Sequence, residues 1–250
     1  MNVTPANWQR WQQSQVIEQE RTAIIEEGQQ TPFDDVLKKL KGATSLNRLL
    51  VMCEGPTDIP VFQELVAQVG EVPEIMFDYV GGWSGLRQKD PNVLLLVSKA
   101  VIVIMDGDEG RKLSKRNRPL TDMAREQQKR LARCGIELRV LQRYGIENYF
   151  PRGAIERVIG IDLSAFFPAP EDTPFIEHLS LDNKVPWYRF RQWVAQRLDL
   201  KMPPPQRPLY SKSQNQAVAK FMVLNADLAG TDLREIVNSI ARRARDLLEE

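Results

Sequence analysis

The sequence predicts an α/β fold: a small parallel sheet flanked by helices over about residues 46–150, preceded by an N-terminal helical arm (1–45) and followed by a mainly helical C-terminal region (151–250). Two observations predict it. Four short apolar runs alternate with amphipathic stretches in the order β-α-β-α-β-α-β, an alternation that favours parallel strands joined by right-handed crossovers. These runs are bounded by Gly- and acid-rich turns, as strand ends are.

In chain order, Trp8, Trp11, Val16, Ile17, Ile24 and Ile25 recur at near-helical spacing among Gln, Glu and Arg, and Pro32 interrupts them. Residues 49–53 form the first apolar run, which ends in Glu54-Gly55-Pro56-Thr57-Asp58. Val61, Leu65, Val66 and Val69 then mark an amphipathic helix, with Thr57 placed to cap it and Pro60 in its first turn, where a missing N–H costs little. A second strand over 75–80 ends at Gly81-Gly82, a weak signal that either turns the chain or lets backbone approach a phosphate. A helix over 85–98 leads to a third strand over 100–105, and Asp106-Gly107-Asp108-Glu109-Gly110 follows at once. A helix over 121–134 and a fourth strand over 137–142 complete the alternation. Beyond Asn148 the spacing predicts helices over 152–159, 187–198, 214–224 and 232–248, with a Pro-rich break at 202–208.

Hydrophobic residues make up 42% of the chain and charged ones 27%, ordinary globular usage that disfavours disordered and collagen-like classes. The longest apolar runs fall far short of the roughly 20 residues that span a bilayer. The Gln- and Glu-rich N-terminus carries no secretory pattern, so a cytoplasmic protein is expected. Cys53 and Cys134 lie far apart and read as buried thiols, and His178 is the single histidine. Zinc sites and His-based nucleophilic schemes therefore lack their parts, and any metal must be held by carboxylates. The net charge is +1, but residues 109–143 hold eleven basic side chains against four acidic ones, a segment suited to a polyanion.

Ligands of open parallel sheets bind beyond the carboxyl ends of the strands, so acids just past those ends converge in space. Glu54 follows strand one, Asp106 and Asp108 follow strand three, and Glu147 follows strand four after Arg143-Tyr144-Gly145-Ile146. Asp58 lies one helical turn beyond Glu54. A D-x-D spacing turns alternate carboxylates to one side of an extended segment. Clustered carboxylates repel unless a cation offsets them, and hard divalent cations take oxygen ligands. For Asp58 and Glu109, helix capping or a solvated surface explains the residue equally well.

Glu54-Gly55-Pro56-Thr57-Asp58 after one strand and Asp106-Gly107-Asp108 after another resemble the TOPRIM signature of topoisomerases, primases and a group of nucleases. The segment Arg143-Tyr144-Gly145-Ile146-Glu147-Asn148-Tyr149-Phe150 resembles the Glu-Asn-Tyr region of OLD-family nucleases and related anti-phage effectors that work beside an ATPase. The resemblance covers residues 46–150 well and 151–250 more loosely. It implies a TOPRIM, Rossmann-like sheet and a Mg²⁺- or Mn²⁺-dependent endonuclease. Glu54 would be metal ligand or general base, Asp106 and Asp108 would bind metal, and Glu147 and Asp58 would join a second metal position. In OLD-type nucleases a lysine from the C-terminal part approaches the reacting phosphate; Lys220 and Lys212 are the candidates here.

The loop Arg111-Lys112-Leu113-Ser114-Lys115-Arg116-Asn117-Arg118 begins beside the Asp-x-Asp turn, so Arg111, Lys112, Lys115, Arg116 and Arg118 are expected to contact a DNA or RNA backbone, with tRNA among the candidates, as is Lys212. Residues 187–193 interleave aromatic and basic side chains, but Trp187, Phe190, Val194 and Leu198 keep helical spacing and read as core. The chain contains no G-x-x-x-x-G-K-[ST] loop, whereas fusion members of the resembled family carry an ATPase. The resemblance thus implies the nuclease half of a two-protein anti-phage system, with a separate ATPase subunit as partner and a homodimer as a further possibility. The alternative is a non-catalytic TOPRIM-like subunit that binds nucleic acid or scaffolds an assembly.

Overall fold

In the computed structural model, the described residues are 48–112, 118–160 and 212–249. Four strands, β1 (Leu50–Cys53), β2 (Met76–Tyr79), β3 (Val101–Met105) and β4 (Glu137–Val140), form one sheet in the order β2-β1-β3-β4. Every neighbouring pair is parallel, with Val51 opposite Phe77 and Ile102, and Val103 opposite Leu138. The expected parallel α/β architecture is therefore present.

The helices are α1 (Ile59–Ala67), α2 (Gly82–Gln88), α3 (Pro91–Leu95), a single turn α4 (Gly107–Gly110), α5 (Asp122–Arg133), α6 (Arg152–Ile159), α7 (Asn215–Phe221), the short α8 (Leu224–Asp227) and α9 (Asp232–Glu249). One expected helix, 85–98, is two. Asp90 precedes Pro91 and is held extended at ψ 120°, while its carboxylate accepts the Asn92 N–H at 2.9 Å and caps a new start. Thr57 also differs from expectation. Asp58 occupies the N-cap position of α1 without a side-chain cap, and the Thr57 hydroxyl reaches only Asp58 Oδ1 at 3.5 Å.

Strand alternation divides the core into two layers. Val51, Cys53, Ile102 and Ile104 face α1, whose Val61, Phe62, Leu65 and Val66 are buried, and behind it the apolar stripes of α7 and α9. Leu50, Met52, Val101, Val103, Met105 and Val140 face the other way, onto Trp83 and Leu86 of α2, Leu94 of α3, and Ala124 and Leu131 of α5. The C-terminal helices follow residue 150 in the chain but not in space. Val218, Ala219, Leu233, Val237 and Ile240 are at most 0% exposed and lie in the same core as β1 and β3.

The chain runs from β1 outward to β2, then returns past β1 to β3. The turns after β1 and β3 therefore diverge at a topological switch, where an open α/β sheet leaves a crevice.

Candidate functional site

Four strand-end turns build this crevice, and backbone contacts hold them together. After β1, the Glu54 carboxylate Oε2 accepts the Asp106 backbone N–H at 2.8 Å, tying the β1 and β3 turns to each other. The Glu54 carbonyl accepts N–H groups from Gly81 and Gly82, each at 3.1 Å, which brings in the β2 turn. Those two glycines sit at φ +80° and +75°, a left-handed backbone that a side chain disfavours. Gly107, beginning α4, donates to the Arg143 carbonyl at 3.1 Å, and a Cβ there would lie 2.2 Å from that oxygen. No side chain fits between the β3 and β4 turns.

Beyond β4, residues Ile146–Tyr149 form a 3₁₀ turn that buries Glu147 to 2% exposure. Asn148 Oδ1 accepts the Gly145 N–H at 2.9 Å and fixes the turn. Gly145 leaves room at its Cα: a Cβ would come within 3.1 Å of Glu147 Oε2 and 3.2 Å of Asp106 Oδ2, so both carboxylates face the same small space. Glu147 Oε1 receives the Lys212 ammonium at 3.1 Å and the Asn215 amide at 3.0 Å. Asp58, 5% exposed, accepts the Gly55 N–H at 2.9 Å. Asp108, in α4, accepts the N–H of its own neighbour Glu109 at 2.6 Å.

Crowded into low-dielectric surroundings, these acids resist ionisation. Burial, then the Asp108 and Asp58 charges, push the Glu54 carboxyl up to about 7 against the opposing Asp106 N–H and Lys212. Burial and Glu147 push Asp58 to about 6, with the Gly55 N–H pulling the other way. Asp106 is raised well above the usual carboxylate range by burial and by Asp58, Glu54 and Glu147. Asp108 is raised as well, chiefly by burial. Burial opposes the Lys212 charge, but Glu147, Asp106 and Asp58 outweigh it and hold its pKa above that of an ordinary lysine. Cys53 beneath them is raised by burial and the same acids, so it is an unreactive thiol.

The structure thus brings together Glu54, Asp58, Asp106, Asp108, Glu147 and Lys212. It does not bring Lys220, which stands on the last turn of α7 and faces Glu64 at 3.8 Å on the outer surface. The length of α7, about two turns, separates the two outcomes: Lys212 precedes α7 on the crevice side, whereas Lys220 leaves its far end. Of the basic loop, the Arg111 guanidinium donates to the carbonyls of Val140, Leu141 and Arg118 at 2.7–3.2 Å. It binds the loop to the end of β4. Lys112 lies 3.9 Å from Asp122 and Arg118 donates to the Gln142 carbonyl at 3.3 Å. Lys115 and Arg116 lie outside the described residues, as do His178, the arm with Trp8 and Trp11, and the 187–198 segment.

Three contributors escaped the sequence reading. Asn215 is completely buried; its signal was a polar residue at the head of the stripe Asn215, Val218, Ala219, Met222, where i, i+3, i+4, i+7 spacing calls for an apolar one. Asp232, at the start of α9, accepts the Gln142 N–H and the Tyr149 hydroxyl, both at 2.7 Å, and so anchors the turn that carries Glu147. Trp83 lies under α4, and nothing in its spacing announces it. Among the described residues no helix is long and apolar enough to cross a membrane. The chain matches no family model, no curated protein and no solved structure, so the reading of this site rests on its own geometry.

Proposed function

We propose that this chain is a Mg²⁺- or Mn²⁺-dependent nuclease of TOPRIM type that hydrolyses phosphodiester bonds in nucleic acid. The observation that carries the reading is the meeting of Glu54, Asp106, Asp108, Asp58 and Glu147, from three strand ends, with one ammonium at the switch point of a parallel sheet. Acids that raise one another's pKa are electrostatically unsatisfied, and such clusters mark functional sites more often than structural ones.

The donor set fits a hard divalent cation: every candidate ligand is a carboxylate oxygen, and the Gly145 Cα leaves the Asp106 and Glu147 oxygens unobstructed toward each other. Asp106, Asp108 and Glu147 would hold the ion, with Asp58 beside them. A bound divalent ion would polarise the phosphoryl group and stabilise its developing charge. Glu54, poised near neutrality and oriented by the Asp106 N–H, is suited to take the proton of the attacking water. Lys212 supplies a fixed positive charge for a non-bridging phosphate oxygen. Asn215 orients Glu147 through the same oxygen that Lys212 contacts.

The alternative is a non-catalytic TOPRIM-like subunit that binds nucleic acid or scaffolds an assembly. Among the described residues no three Asp, Glu, His or Cys side chains form a preformed metal-holding group. The nuclease's toxic activity would be governed by a separate ATPase, as its resemblance to ATPase-partnered anti-phage nucleases implies.

Incubating the purified chain with plasmid, single-stranded DNA and tRNA in Mg²⁺, Mn²⁺ or chelator tests the reading. Metal-dependent cleavage that Glu54→Gln abolishes is expected. No cleavage of any substrate, with and without a co-expressed neighbouring ATPase, would favour the binding subunit.

A further inference from the structure

Trp83 is 2% exposed and belongs to the core layer formed with Met52, Met105 and Val140. Its six-membered ring slides under α4: a Cβ on Gly110 would lie 2.4 Å from Cζ2 and 3.2 Å from Cη2, so only glycine lets the indole in. The indole N–H is buried and makes no hydrogen bond. It does lie against the Asp108 carboxylate, near enough to ease that group's ionisation. Asp108 is meanwhile turned back onto the N–H of its neighbour Glu109.

A buried donor without an acceptor is expensive, and an apolar side chain of similar bulk would fill this space without that cost. Packing therefore accounts for the ring but not for its N–H. The carboxylate it lies against belongs to a residue proposed to face a cation. Carboxylates that bind metals are themselves held by hydrogen bonds from outside the coordination shell, and removing such a bond weakens affinity roughly 10–100-fold.

We propose that Trp83 is a positioning residue for Asp108: when a divalent cation binds, the carboxylate leaves the Glu109 N–H, accepts the indole N–H on one oxygen and presents the other to the ion. The proposal rests on the metal-site reading above. It makes α2, an element the acids themselves do not occupy, part of the device that aims them, and it couples the cation to the core layer on that face of the sheet.

The test compares the parent chain, Trp83→Phe, and a chain in which Trp83 is replaced by the benzothiophene analogue of tryptophan, which keeps the bicyclic shape and deletes the N–H. Mn²⁺ binding is measured by calorimetry, and thermal unfolding is followed in chelator. Both replacements should weaken Mn²⁺ about tenfold or more. The analogue should leave metal-free stability unchanged or raised, because it removes an unsatisfied donor. In an Asp108→Asn background the two replacements should cost no further affinity. Unchanged Mn²⁺ affinity in the analogue overturns the proposal, as does a loss that persists in Asp108→Asn. A parent chain that binds no Mn²⁺ overturns the metal-site reading itself, a separate outcome.

Discussion

Replacing Glu54 by glutamine should stabilise the metal-free protein, and only above the pH at which the carboxyl ionises. Burial among Asp108 and Asp58 holds this group at about 7, against 4.5 for an ordinary glutamate. The folded chain then binds the Glu54 proton more tightly than the unfolded chain does. Its contribution is complete below the unfolded value and is lost as pH rises through the folded one. The difference corresponds to about 3 kcal/mol at mildly alkaline pH. Asp58 and Asp108 share the same field, so part of that cost is redistributed, and a gain of about 1–3 kcal/mol is expected for Glu54→Gln. Glutamine retains an oxygen for the Asp106 N–H. For a chain of this size the gain amounts to roughly 3–10 °C in Tm. Thermal unfolding of both proteins in chelator at about pH 4 and about pH 8 reads it: near coincidence at the acid end, a clear separation at the alkaline end. A variant less stable than the parent at the alkaline end, or one stabilised equally at both, would refute the electrostatic argument.

The remaining expectations are briefer. Lys212→Met should reduce cleavage by roughly a hundredfold or more, whereas Lys220→Met, which disturbs only the exposed contact with Glu64, should change it less than about threefold; equal losses in a gel-based assay would contradict the placement of the two lysines. Asp232→Ala removes the acceptor of the Gln142 N–H and the Tyr149 hydroxyl and should cost about 2–3 kcal/mol in urea unfolding, a loss below about 0.5 kcal/mol arguing that the turn carrying Glu147 stands without it. Gly145→Ala crowds Glu147 Oε2 and Asp106 Oδ2 and should weaken Mn²⁺ binding while costing under about 1 kcal/mol of stability, since φ −151° suits alanine; unaltered Mn²⁺ affinity would mean the ion does not use that space.

Much of this architecture was legible because its two central strands, β1 and β3, are buried on both faces and therefore appear as uninterrupted apolar runs, Val101–Met105 above all. The acids were legible for a related reason: chain topology alone brings Glu54, Asp106 and Glu147 to one end of the sheet. What stayed hidden depends on tertiary register. No spacing rule chooses between Lys212 and Lys220, since the choice turns on which end of α7 meets Glu147. Arg111 looked like a phosphate contact because it follows the Asp-x-Asp turn, yet its guanidinium closes the loop onto β4 carbonyls. The break at Asp90-Pro91 was present in the sequence and was overruled by the longer apolar periodicity around it.

The covering of α1 by α7 and α9 has a consequence for the order in which the molecule is made. Among the described residues, Val61, Phe62, Leu65 and Val66 gain much of their outer layer from α7 and α9, the same stretch that delivers Lys212 and Asn215 to Glu147. During synthesis the acids emerge first and wait, without their ammonium and beneath an open apolar face, until residues 212–247 have left the ribosome. A chain arrested at residue 150 would hold every carboxylate and lack Lys212 and Asn215. Balance of the charge cluster is thereby tied to synthesis of the residues from Lys212 onward.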